Sequence, residues 1–108
     1  MSVNLSKYQQ KASRTLGNNG GYAHLGMGLS GEAGEVCDYL KKVVFHGHPL
    51  DKQKLVEELG DVLWYIAALA TYSGTTLDEI GEANIDKLQR RYPNGFTRKD
   101  SIGRVDVE

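Results

Sequence analysis

The 108-residue chain is predicted to be all-α, and three observations predict it. Four segments repeat apolar residues at steps of three and four, none alternates apolar with polar residues over a strand's length, and Gly, Asn and Pro clusters separate the segments. Together they describe a four-helix bundle of one domain over residues 1–96, with 97–108 as a C-terminal arm or tail.

The first helix is expected from about Asn4 to Leu16, ended by Gly17-Asn18-Asn19-Gly20-Gly21, residues that tolerate left-handed backbone. The second runs from about Tyr22 to Phe45, although Gly26, Gly28, Gly31 and Gly34 each cost about 1 kcal/mol relative to Ala in a helix. Two readings follow: its first turns are loop with Ser30 as cap, or the glycines admit a neighbouring helix or a ligand. His46-Gly47-His48-Pro49 breaks the chain, and Asp51 is placed to cap a third helix reaching about Tyr72. Ser73-Gly74 closes that helix, Thr76-x-x-Glu79 has the capping-box spacing that opens a fourth to about Arg91, and Pro93-Asn94-Gly95 stops it. Phe96 to Glu108 has no periodicity.

Composition removes several classes. With 13 Lys and Arg against 14 Asp and Glu, the net charge of −1 gives no positive field for nonspecific nucleic-acid binding. The longest apolar run, Val62 to Ala70, falls far short of the ~20 residues of a membrane-spanning helix, so no membrane partner is expected. A single cysteine, Cys37, excludes an intrachain disulfide, and the start MSVNLSKYQQ lacks the apolar stretch of a secretion signal; the expected compartment is cytoplasmic. A domain this small buries only roughly 60–70% of its unfolded surface, which favours self-association.

Four carboxylates carry the chemistry. Glu32 and Glu35 in GLSGEAGEV, and Glu58 and Asp61 in VEELGDVLW, are spaced i, i+3, so each pair shares a helix face. Leu55, Val62, Tyr65 and Leu69 lie within about a quarter turn of Glu58, and Leu29, Val36 and Val43 lie close to Glu32. Both acidic pairs therefore point inward, from two helices that a short connection makes antiparallel neighbours. Crowded carboxylates raise one another's pKa, and a divalent cation resolves the conflict. All-oxygen ligands favour Mg²⁺, with Mn²⁺ as the second choice, over zinc. A di-iron bundle requires Glu-x-x-His, and the residues three positions after Glu32, Glu35 and Glu58 are Glu35, Asp38 and Asp61.

On the fourth helix Asn84, Lys87 and Arg91 form one stripe at i, i+3 and i+7, suited to a phosphate chain. The competing reading is a solvated face with ion pairs to Glu82 or Asp86. Lys41 and Lys42, near the end of the second helix, are candidate phosphate contacts, with the macrodipole at a helix C-terminus as the favoured reading. His24, His46 and His48 read as surface or loop residues.

At these motifs the chain resembles the MazG-like nucleotide pyrophosphohydrolases of the all-α NTP pyrophosphatase superfamily. The resemblance runs from about Tyr22 to Phe96 and rests on Glu32-x-x-Glu35, Glu58-x-x-Asp61 and Asn84-x-x-Lys87 followed by Arg91-Tyr92-Pro93. It implies that Glu32, Glu35, Glu58 and Asp61 hold Mg²⁺, and that a nucleoside triphosphate is cleaved to the monophosphate and pyrophosphate in nucleotide-pool housekeeping. It also implies a homodimer or homotetramer. A carboxylate not committed to metal, Glu35 or the neighbouring Glu57, is the candidate general base. Tyr65, one turn past Asp61, is the candidate for stacking on a base, against the plainer role of a core aromatic. The alternative from another class is a catalytically silent helical module that senses a nucleotide or binds a protein.

Overall fold

A computed structural model describes residues 2–17 and 21–103, which form the helices α1 (Leu5–Ser13), α2 (Tyr22–His46), α3 (Lys52–Ser73), α4 (Leu77–Arg91) and α5 (Arg98–Gly103). The all-α prediction is borne out, with two corrections to its elements. α1 stops three residues early, because the Ser13 and Thr15 hydroxyls donate to the carbonyls of Gln10 and Ala12 and compete with continued helix. A short helix, α5, forms where no periodicity predicted one. Of the glycine-asparagine segment, Asn18, Asn19 and Gly20 lie outside the described residues, as do residues 104–108 of the expected tail.

Caps set the helix starts. Asn4 accepts from the Lys7 N–H at 2.8 Å, and Asp51 accepts from those of Gln53 and Lys54 at 3.0 and 3.4 Å. Thr76 accepts from the Glu79 N–H at 3.0 Å, while the Glu79 carboxylate accepts from the hydroxyls of Thr75 and Thr76 rather than reaching back to the cap's backbone. Gly74, at φ +81, supplies the left-handed residue that closes α3.

α2 is helical from Tyr22 onward, so the loop reading of its first turns is overturned and Ser30 lies inside the helix. Packing against α3 outweighs the poor propensity of the glycines. The two helices run antiparallel, with the turn between them tied by Tyr39: its hydroxyl accepts from the Asp51 N–H at 2.8 Å and donates to the Asp51 carbonyl.

Within the chain, the apolar run Val62 to Ala70 is half-buried or buried throughout. α2 lies along one side, and Tyr8 and Ala12 of α1 pack on the cluster of Ala67, Ala70 and Leu77. Small side chains at Ala67, Ala68 and Ala70 let the helices approach closely. Gln9 then clamps the corner, donating to Thr71 Oγ1 and the Thr75 carbonyl and accepting from the Leu77 N–H at 2.7 Å.

Candidate metal centre

The antiparallel pairing of α2 and α3 brings Glu32 to Glu58 and Asp61. One carboxylate oxygen from each lies within 4.8 Å of the others, with Glu32 and Glu58 half-buried and Asp61 exposed. Three all-oxygen donors this close together could supply part of the ligand set of a hard divalent cation. Burial, followed by the charges of Asp61, Glu58 and Glu35, pushes the Glu32 carboxyl above the ordinary range. The trio therefore has the charge conflict that the sequence pattern predicts.

Glu35 stands one turn further along α2, exposed and outside the trio. With Glu58 it lines a cavity of about 250 Å³, whose far wall carries Tyr39, Lys42, His48 and Lys54. The Lys54 ammonium sits 3.6 Å from a Glu58 oxygen and 5.7 Å above the Tyr39 ring. Lys42 pairs with Asp38 at 3.2 Å, and this contact, with Lys41 adding to it, holds the Asp38 carboxyl below its usual range. A mixed-charge cavity thus adjoins the carboxylate trio through Glu58.

The remaining predicted residues are placed differently. Glu57 is exposed on α3 and lines neither the trio nor this cavity. Asn84, Lys87 and Arg91 lie on α4, which packs against α1 and α3, and none of them lines the cavity beside Glu58. Asp86 pairs with Arg90 one turn along the same helix. The half-buried Tyr65 ring packs into the α2–α3 seam, edge-on to Trp64 with centroids 4.9 Å apart.

Sequence reasoning missed Tyr8, Lys42, His48 and Lys54 as neighbours of the acids. Burial, then the nearby Asp61 charge, raises the Tyr8 phenol above its ordinary value, which marks the approach of α1 to the trio. The signal for Lys54 was available: it precedes Glu58 by one helical turn, the spacing of an ion pair.

Fold and acidic trio define an all-helical protein with an acidic cluster between two helices that could hold a metal ion, and comparison gives that class its family. Residues 21–96 match the model of the MazG nucleotide pyrophosphohydrolase domain, and the chain belongs to this family. Among its relatives is the Gene 37 protein of Mycobacterium phage L5, 38% identical over 79 residues that make up 69% of each chain. The YvdC protein of Bacillus subtilis (strain 168), described as uncharacterized, is 44% identical over 41 residues, 38% of this chain and 39% of its own. No solved structure matches. Among the described residues no helix is long and apolar enough to cross a membrane.

Proposed function

We propose that the chain is a divalent-cation-dependent hydrolase that cleaves nucleoside or deoxynucleoside triphosphates between the α and β phosphates, releasing monophosphate and pyrophosphate in the cytoplasm. The observation that carries this reading is the convergence of Glu32, Glu58 and Asp61 within 4.8 Å at the α2–α3 seam of a MazG-family chain. Glu32, Glu58 and Asp61 would hold Mg²⁺, or Mn²⁺ in its place, with Glu35 as the fourth carboxylate. When bound, the ion neutralises triphosphate charge, polarises the phosphorus centre and lowers the pKa of the attacking water.

The side chains supply the rest. A carboxylate oxygen facing the cavity orients the water and takes its proton; Glu35 is better placed than Glu57, because it lines the cavity beside Glu58. Lys54 and Lys42, on the wall of that cavity, offer charge to phosphate oxygens. Asn84, Lys87 and Arg91 would extend the phosphate contacts from α4, and Tyr65 is the candidate for stacking on the base.

Incubation with a panel of canonical and modified triphosphates and Mg²⁺ tests the reading, with pyrophosphate and orthophosphate assayed separately. Pyrophosphate with monophosphate is the expected result. Orthophosphate alone, or nucleotide binding without turnover, overturns it; the second result would leave a nucleotide sensor.

A further inference from the structure

The carboxylate trio divides the α2–α3 seam into two unlike halves. Because the helices are antiparallel, Lys42, which follows Glu32 on α2, and Lys54, which precedes Glu58 on α3, lie on the same side of the trio, toward the turn. His48 joins them from the turn itself, and the three line one cavity. On the other side the Tyr65 ring crosses Gly28, and Leu29, Ile66 and Leu69 line a second cavity that has no charged side chain among the described residues. Positive charge thus stands on the turn side of the trio and apolar surface on the opposite side.

The acids of the turn-side cavity do not cancel its lysines. Asp38 is shared by Lys41 and Lys42, at 3.5 and 3.2 Å, so two ammonium charges meet one carboxylate. Glu58 faces Lys54 at 3.6 Å, longer than a hydrogen bond, and its charge is shared with the trio. The Lys42 and Lys54 side chains are about half exposed and each ammonium carries three N–H donors, so both can turn to a ligand. At about 250 Å³ the cavity falls below the roughly 300–1,000 Å³ of pockets that enclose a whole organic ligand. It has room for the end of a nucleotide and not for all of one.

Resting on the hydrolase reading above, we propose that this cavity holds the β and γ phosphates of the substrate, Lys54 beside the β phosphate and Lys42 with His48 at the γ phosphate. The triphosphate then lies along the seam with its tail toward the α2–α3 turn and its nucleoside toward Tyr65. The opposite direction would set ionised phosphates against Leu29 and Leu69 and leave the lysines facing an uncharged sugar. In the reaction the water oxygen bonds to the α phosphorus while the bond from that phosphorus to the bridging oxygen breaks. Pyrophosphate leaves with the electron pair, and the proton of the water passes to the cavity-facing carboxylate. Negative charge grows on the pyrophosphate as the bond lengthens, where Lys54 and Lys42 stabilise it. The length of the phosphate chain thereby becomes a determinant of specificity, because a diphosphate does not reach Lys42 and His48.

Two measurements test the direction: kcat/KM for a triphosphate against the matching diphosphate, and calorimetric titration with inorganic pyrophosphate in Mg²⁺. Wild type is expected to prefer the triphosphate by at least about tenfold and to bind pyrophosphate. Lys42→Met is expected to lower both that preference and the pyrophosphate affinity by at least about tenfold, with helical circular dichroism retained, and Lys42→Arg to restore most of each. Lys52→Met removes the same charge from an exposed position at the start of α3, outside the cavity, and is expected to leave both readings within about twofold. Triphosphate turnover with both readings unmoved by Lys42→Met, or moved equally by Lys52→Met, overturns the assignment and leaves the hydrolase standing. An equal loss on triphosphate and diphosphate overturns it too, since that marks a structural role for Lys42. Absence of turnover with every triphosphate overturns the hydrolase reading and this assignment with it.

Discussion

Tyr65 lays its ring across Gly28 so closely that a Cβ at residue 28 would stand 2.2 Å from the ring's Cε1. That contact sets the register of α2 on α3, and one turn along each helix the same register brings Glu32 to Asp61. The glycine is therefore part of what assembles the carboxylate trio, although it bears no chemistry itself.

Gly28→Ala is expected to destabilise the protein by about 1–3 kcal/mol, because the ring or the helix must shift. Gly31→Ala, where a Cβ meets nothing within 4 Å, is expected to stabilise by about 0.5–1 kcal/mol through helix propensity alone. Urea unfolding of the two variants checks the opposite signs; equal effects would remove the packing argument.

Mg²⁺ at about a hundred times its dissociation constant is expected to add ~2.7 kcal/mol to wild-type stability. In a domain of this size that raises Tm by roughly 10 °C or more. Glu32→Gln is expected to lose this response, and thermal melts with Mg²⁺ or with chelator measure it.

The raised Glu32 pKa also fixes a sign in the metal-free protein. The folded state binds that proton more tightly than the unfolded chain, so the stabilisation is complete below the ordinary carboxylate value and is lost as pH rises through the raised one. Glu32→Gln is therefore expected to be more stable than wild type in chelator at neutral pH, with the difference shrinking in acid. Melts across the acidic range read it directly, and a variant less stable than wild type at neutral pH would contradict it.

Glu58→Gln removes a carboxylate shared by the trio and the adjoining cavity. Turnover of any triphosphate substrate is expected to fall by at least about a hundredfold, since even groups that only support metal ligands contribute 10–100-fold. Helical circular dichroism should be unchanged, and retained activity would exclude Glu58 from the metal site.

Tyr39→Phe leaves the Asp51 N–H without its hydroxyl acceptor at the turn between α2 and α3. The expected cost is about 1 kcal/mol in unfolding free energy, with turnover close to wild type. A large loss of turnover at unchanged stability would give Tyr39 a role at the cavity beyond tying the turn.

Much of the fold was legible because its signals are local. Asp51 and Thr76 cap the helices they were expected to cap. The expected span of the second helix holds and only its loop reading fails, since α2 runs straight through its glycines, whereas α1 ends early where Ser13 and Thr15 turn their hydroxyls on the backbone. Of the four acids expected to face inward, Glu32 and Glu58 are half-buried while Glu35 and Asp61 are exposed, because a step of three residues turns the second member of each pair about 60° from the first. Lys42 and His48 at the cavity wall were not legible, because their meeting with Glu35 and Glu58 depends on how the α2–α3 turn closes.

By itself, the order of residues determined the four long helices and the spacing of the two acidic pairs, since each follows from a 3.6-residue repeat and a cap within a few positions. Only tertiary structure decided which carboxylates meet. Glu32, Glu58 and Asp61 converge while Glu35 stands aside, because the register of two antiparallel helices is set by the space between Gly28 and Tyr65, 37 residues apart in the chain.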